Sequence, residues 1–234
     1  MKNLILASTS TIYGDSYLGY LLPYLDKHFL NVERLLFIPY ARPGGISNDD
    51  YTSRVQEAFN TLDIEVRGIH EFEDPKKAIK EAQAIFTGGG NTFLLVNTLY
   101  KLELMPVLRK VLFSGTPYLG TSAGTNIGGL TMQNTNDMPI IYPPSFKTLG
   151  LVPFNINPHY VDPLEGDTHM GETRETRISE FHKFNNIPVI GLREGSWIEV
   201  KGDNCFLKGD LDARIFESGK KTWELEAGEQ IVFD

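Results

Sequence analysis

A single cysteine, Cys205, stands in a chain of 234 residues, so no disulfide can form within it and a reducing compartment is the expected setting. It lies between Asn204 and Phe206 in a segment of strand character, which marks the thiol as structural rather than nucleophilic. Positive charge is scarce too. Lysine and arginine number 22 against 30 aspartate and glutamate, the formal net charge is −8, and no stretch carries more than two adjacent cations. A surface that neutralises phosphates needs a basic stripe, so nucleic acid is excluded as a partner. Long apolar runs are also missing: those at 4–7 and 35–38 are strand-length, short of the roughly 18 residues of a membrane span. The N-terminus enters strand-like sequence at once, without the apolar core of a secretory signal, and the expected location is the cytoplasm. No repeat or Ser/Gly-rich linker divides the chain, so one domain over 1–234 is the simplest account.

What the sequence does have is alternation. Apolar runs at 4–8, 34–40, 64–70, 84–87 and 117–120 read as strands, and between them lie helix-period windows at 17–29, 49–62, 75–82 and 92–113, the last broken near Met105 and Pro106. This rhythm predicts an α/β fold with a largely parallel central sheet flanked by helices, its ligands gathering at the carboxyl ends of the strands. From Tyr142 to His159 the chain is rich in Pro and Asn and reads as extended or looped backbone. A helix is expected over 171–183. The runs 189–192, 197–200, 205–207, 214–217 and 229–233, punctuated by glycine turns, read as a C-terminal β meander.

Two glycine-rich turns carry the chemistry. Gly120-Thr121-Ser122-Ala123-Gly124 follows a predicted strand and precedes small residues able to open a helix. A sharp strand-to-helix turn needs glycines on both sides and lifts the central hydroxyl clear of the sheet, which makes Ser122 a candidate nucleophile; the Ala123 N–H at the helix start faces a developing oxyanion. Thr87-Gly88-Gly89-Gly90-Asn91-Thr92 also ends a strand, but it lacks the Lys-Ser/Thr of a P-loop and the spacing of a dinucleotide site. A second oxyanion donor, the Gly90 N–H, suits it better.

A serine hydroxyl requires a base. His28 and His182 fall in amphipathic helix windows, where a surface position is expected; His70 ends a strand, and His169 lies in a polar loop. His159, in Asn157-Pro158-His159, sits on stiff extended backbone suited to a positioned base. The carboxylate that orients it is left open by the residues alone, with Asp137 in a polar loop as the candidate and Asp162 and Glu194 as alternatives. There is no His-Glu-x-x-His, no cysteine pair and no pair of histidines at helical spacing, so neither a metal nor another cofactor is expected.

Taken together, Gly88-Gly89-Gly90-Asn91-Thr92-Phe93, Gly120-Thr121-Ser122-Ala123-Gly124, Thr135-Asn136-Asp137-Met138-Pro139, Asn155-Ile156-Asn157-Pro158-His159 and Gly171-Glu172-Thr173-Arg174-Glu175 closely resemble the peptidase E family of α-aspartyl dipeptidases, in order and over nearly the whole chain. The resemblance implies a cytoplasmic serine exopeptidase that cleaves Asp-Xaa dipeptides, on a three-layer fold like that of class I glutamine amidotransferases. On matching positions Ser122 is the nucleophile, His159 the base and Asp137 its orienting carboxylate, with Gly90 and Ala123 as the oxyanion hole. Glu194, in Leu192-Arg193-Glu194-Gly195, matches a further acidic position of the family. Arg174 matches its arginine for the substrate carboxylate, a task that suits a guanidinium fork. At helical spacing Arg174 has Met170, Gly171, Arg177 and Ile178 for neighbours, none of them a carboxylate. The implied partners are small dipeptides, met by a monomer or a homodimer. A cyanophycinase-like hydrolase of β-aspartyl linkages is the alternative enzyme, against which the short chain and the Asn136-Asp137-Met138-Pro139 segment weigh. A non-catalytic binding module on the same scaffold is the alternative outside catalysis.

Overall fold

Each apolar run of the first half becomes part of a layered α/β core. A computed structural model describes residues 1–163 and 171–233. In chain order the elements are β1 (Asn3–Ala7), α1 (Leu22–His28), β2 (Arg34–Ile38), α2 (Asn48–Phe59), β3 (Glu65–Gly68), α3 (Pro75–Glu81), β4 (Ala84–Thr87), α4 (Thr92–Lys101), α5 (Met105–Ser114), β5 (Tyr118–Thr121) and α6 (Ala123–Asn126). They continue with β6 (Asn155–Pro158), α7 (Arg174–Phe181), β7 (Val189–Leu192), β8 (Trp197–Lys201), β9 (Asn204–Lys208), β10 (Ala213–Phe216) and β11 (Trp223–Leu225).

The central sheet runs β3-β2-β4-β5-β1-β8-β9. Its first five strands are parallel, and β8 and β9 are antiparallel additions beside β1. Successive side chains of a strand face opposite sides, and both sides are covered here. Leu4, Leu6, Leu36, Ile38 and Ile85 pack with Leu95, Leu99, Leu108 and Leu112 of α4 and α5, whereas Ile5, Leu35, Phe37 and Phe86 pack with Leu25, Val55 and Phe59 of α1 and α2. That double burial explains why these strands are continuous apolar runs.

A second sheet, ordered β11-β10-β7-β6, joins β6 parallel to β7 and is otherwise antiparallel. The C-terminal strands read as a meander are therefore shared between the two sheets. The β8–β9 hairpin goes to the central one because Trp197 stacks near Tyr24 on one face, at 4.6 Å between ring centroids, while Ile198 and Val200 enter the core on the other. The expected strand at 229–233 reduces to one bridge between Phe206 and Gln230, and the strand forms instead at β11, where Leu225 is buried. The Pro/Asn-rich stretch before His159 holds β6, all four residues of which are buried.

Helix starts follow local chemistry. Ser47, Asp74 and Asn91 accept backbone N–H groups at the N-termini of α2, α3 and α4. The helix expected from 17 begins only at Leu22, because Leu18 sits at φ 60° and breaks the helical path. His28, expected at the surface, is buried and directs Nε2 to the Tyr118 carbonyl at 3.1 Å; burial pushes its pKa down to about 3. Burial likewise pushes the Cys205 thiol up to about 11, so it is not a thiolate at neutral pH. Among the described residues no helix is long and apolar enough to cross a membrane.

The ring of Phe86 lies 5.1 Å from Phe37 and 6.2 Å from Phe59 by centroids, so it pins the sheet to α2. Phe86→Ala is expected to cost about 3–5 kcal/mol, measured by urea unfolding with an unchanged m-value; a loss below about 1 kcal/mol would show that the cluster collapses around the cavity.

Candidate active site

Ser122 occupies the junction between β5 and α6 at φ 53°, ψ −110°, a conformation that costs a non-glycine residue about 1–3 kcal/mol. Several bonds hold it there. Its N–H donates to the Ala7 carbonyl at 3.1 Å, and its carbonyl accepts from the N–H groups of Thr125 and Asn126. The Thr125 hydroxyl reaches the carbonyls of Ala7 and Gly120, and the Tyr118 hydroxyl that of Gly124. At Gly124 a Cβ would stand 2.1 Å from the Thr87 carbonyl oxygen, so only glycine lets the turn approach β4 this closely. The other glycine turn meets it from β4: a Cβ on Gly89 would fall 3.5 Å from Ser122 Oγ, and Gly90 adopts φ 142°, open to glycine alone. The candidate oxyanion donors, Gly90 and Ala123, thus come from two adjacent strand ends of one sheet.

His159 follows β6, so the second sheet delivers it to the first. Its Nε2 lies 2.9 Å from Ser122 Oγ, and its Nδ1 lies 2.5 Å from Oε1 of Glu194, on the turn after β7. A carboxylate only accepts, so Nδ1 carries the proton toward Glu194 and Nε2 is left as acceptor for the serine hydroxyl. His159 is itself at φ 54°, and its N–H donates to Ser8 Oγ at 2.8 Å, whose hydroxyl donates to the Leu192 carbonyl at 2.7 Å. Ser8, fully buried at the carboxyl end of β1, thereby ties the histidine to both sheets.

Of the carboxylates left open for that histidine, the structure brings Glu194 beside it. Asp137 is not beside His159; its Oδ2 accepts from the Thr92 N–H at 2.6 Å and the Thr135 hydroxyl at 3.0 Å, at the start of α4. The reason is the preceding residue, since Asn136 bonds the Pro158 carbonyl and Asn157 and so fixes the loop with Asp137 turned toward α4. An amide ladder continues inward, Asn157 donating to the Asn134 carbonyl and Asn155 to the Asn134 side chain and Thr131. Asp162, the third carboxylate left open, is held by Arg193.

Arg174 opens α7 after the Thr173 cap. Among the described residues no carboxylate is in salt-bridge distance of it, whereas Arg177 pairs with Glu172 and Glu175 with Arg214. Burial and the charge of Arg177 draw its pKa down, and Glu194, Tyr160 and Asp137 act against that shift, so the guanidinium lies within electrostatic reach of both site carboxylates. Of the other histidines, His70 bonds Asp49 and His182 the Ile187 carbonyl, and His169 lies outside the described residues. Among the described residues no three His, Cys, Asp or Glu side chains gather as a metal site.

Residues 4–208 match peptidase family S51. The chain belongs to that family. It is 49% identical to the peptidase E of Streptomyces coelicolor over 98% of this chain and 93% of that protein. It is 45% identical to the Drosophila melanogaster protein named "probable alpha-aspartyl dipeptidase", over 99% and 97% of the two chains. Among solved structures, a peptidase from an acI-B1 actinobacterium superposes with a TM-score of 0.71 at 18% identity, covering 100% of this chain and 97% of that one. A Listeria monocytogenes EGD-e protein gives 0.67 at 22% identity, covering 89% and 98%. At those identities the two structures speak for the fold.

In this family S51 chain the turn carrying Glu194 is anchored by its neighbour. The Arg193 fork binds Asp162 through two bonds of 2.8 Å and Glu224 through bonds of 2.8 and 3.2 Å, and Arg214 links Glu224 to Glu175 on α7. The network joins the Glu194 turn, the segment after His159 and the helix of Arg174. Ser8, Asn136, Asn157 and Arg193 were not singled out from the sequence; Ser8 alone had a usable signal, its place at the carboxyl end of a central strand.

The hydrogen bond from Arg193 holds the Asp162 carboxyl below its ordinary pKa. Burial opposes the charge of Glu224, but its bonds to Arg193 and Arg214 outweigh this and lower its pKa as well. A depressed pKa contributes stability that is present above the unfolded value, about 4 for carboxyls, and is lost as pH falls through the folded value. Arg193→Ala should therefore narrow the stability gap to the parent as pH drops from about 5 toward 3, followed by thermal melts across that range. A gap that stays constant would show that the network is not coupled to these carboxyls.

Proposed function

We propose that the chain is a serine-type α-aspartyl dipeptidase, one peptidase domain over 1–234 acting on Asp-Xaa in the cytoplasm through an acyl-enzyme. The observation that carries the reading is the relay Glu194–His159–Ser122 on a strained turn between two glycine-rich strand ends. Family membership and the near full-length relatives support the substrate class. Ser122 Oγ attacks the peptide carbonyl as His159 Nε2 takes its proton, and the oxyanion meets the N–H groups of Gly90 and Ala123. His159 then gives the proton to the leaving amine; water, deprotonated by the same nitrogen, attacks the ester and releases aspartate. Glu194 keeps the imidazole in the required tautomer and stabilises the imidazolium. Arg174 takes the aspartyl β-carboxylate, and its partly buried charge offsets the hydration that carboxylate loses.

The test is to incubate the protein, with chelator present, with Asp-Leu, β-linked Asp-Leu, Asn-Leu and Leu-Leu and to follow free amino acids. Release from Asp-Leu is expected, abolished in Ser122→Ala and reduced about 100-fold or more in kcat by Glu194→Gln. Cleavage of the β-linked peptide alone would move the reading to cyanophycinase-like chemistry, and no cleavage would favour a binding module. For Arg174→Ala, the preference for Asp-Leu over Asn-Leu, about 100-fold or more in the parent, should collapse; undiminished discrimination would remove Arg174 from the specificity role.

A further inference from the structure

We infer that Asp137 is the site's anchor for the α-ammonium of the substrate, an inference that rests on the dipeptidase reading. An N-terminal aspartyl residue is a doubly charged ligand: next to its scissile carbonyl sits a Cα bearing an ammonium on one side and the β-carboxylate arm on the other. Arg174 supplies a cation for the arm. The ammonium loses its hydration in the same event and requires an anion of its own.

The carboxylates near the site are nearly all engaged by charge. Glu194 holds His159, Asp162 is bound bidentate by Arg193, Glu175 pairs with Arg214, and Glu172 with Arg177. Asp137 differs in kind. Its two bonds, from the Thr92 N–H and the Thr135 hydroxyl, are both neutral and both fall on Oδ2, which leaves Oδ1 without a partner among the described residues. The carboxylate is thus fixed in place but keeps one oxygen free to accept, among the described residues.

Its position fits the task. Thr92, to which it is bonded, lies two residues beyond the candidate oxyanion donor Gly90, and Asn136 donates to the carbonyl of Pro158, immediately before His159. The 135–137 segment therefore bridges the oxyanion loop and the histidine strand. Asp137 and Arg174 lie within electrostatic reach of one another, an anion and a cation to match the adjacent cation and anion of the substrate. Such an arrangement binds a free N-terminus and rejects an acylated one, because the ammonium is then missing and the carboxylate is left without its partner.

Succinyl-leucine isolates the contact, since it keeps the β-carboxylate and the scissile amide of Asp-Leu and lacks only the amino group. In the parent, kcat/KM for Asp-Leu should exceed that for succinyl-leucine by about 30-fold or more. In Asp137→Asn, where the amide oxygen still accepts from Thr92 and Thr135, that ratio should fall toward one. The corresponding ratio of dissociation constants, measured by calorimetry on Ser122→Ala with and without Asp137→Asn, should fall in parallel and needs no turnover. An equal loss on both substrates, leaving the ratio at its parental value, would overturn the inference and mark Asp137 as a group that acts through the fold or the histidine. Failure of the parent to hydrolyse Asp-Leu would instead overturn the dipeptidase reading itself.

Discussion

Ser122 sits at φ 53°, ψ −110°, and a serine remains there only when its surroundings leave it no alternative. The surroundings do so redundantly. The Thr125 hydroxyl and the Ser122 N–H converge on the carbonyl of Ala7, so the turn is fastened to β1 as well as to its own strand, and Tyr118 clamps the Gly124 carbonyl from within β5. The buried parallel sheet supplies the stiffness, because a carbonyl at the end of a central strand cannot move without disturbing packing on both faces. A hydroxyl held in this way meets His159 Nε2 at 2.9 Å without a search through rotamers and loop positions.

The second constraint is the seam between the sheets. The nucleophile belongs to the central sheet and the histidine to the smaller one, so their distance is only as well defined as the contact between them. Ser8 provides one fastening, bonded at once to the His159 N–H and the Leu192 carbonyl. The asparagines of the 134–136 loop and of β6 provide another, in a region where each buried amide must find partners or incur the cost of an unsatisfied group. Arg193 adds a third on the outer side, gathering Asp162 and Glu224 around the turn of Glu194. Polar groups are used at this seam because hydrogen bonds are directional, whereas apolar packing alone tolerates slippage.

Much of this could be read from the residues, and what could not be read has physical reasons. The five parallel strands were legible because burial on both faces writes them as apolar runs, and the turn at Ser122 because a sharp turn restricts its residues to glycine and small side chains. β6 was hidden by its two asparagines, which look like loop sequence but donate their amide N–H groups across the seam. His28 was misjudged because it occupies an amphipathic helix, where only the tertiary packing against β5 shows that it is buried. The histidine's partner was the harder case. Asp137 and Glu194 lie on different loops, one before and one after His159 in the chain, and the choice depends on where Asn136 turns the backbone, a contact with no local signature.

The longer side chain in the orienting position follows from the same geometry. Glu194 approaches from the turn after β7, the neighbour of β6, so carboxylate and histidine come from adjacent strands of one sheet and move together. A carboxylate borrowed from the 135–138 loop would instead belong to the α4 side of the seam, and any relative motion of the sheets would change its distance to Nδ1. Keeping the histidine and its anion on one rigid element confines the effect of such motion to a single contact, that of His159 with Ser122, which Ser8 secures independently. Asp137 stays on the α4 side, where among the described residues no cation is in direct contact with it. An anion so placed is available to an ammonium group rather than to the histidine.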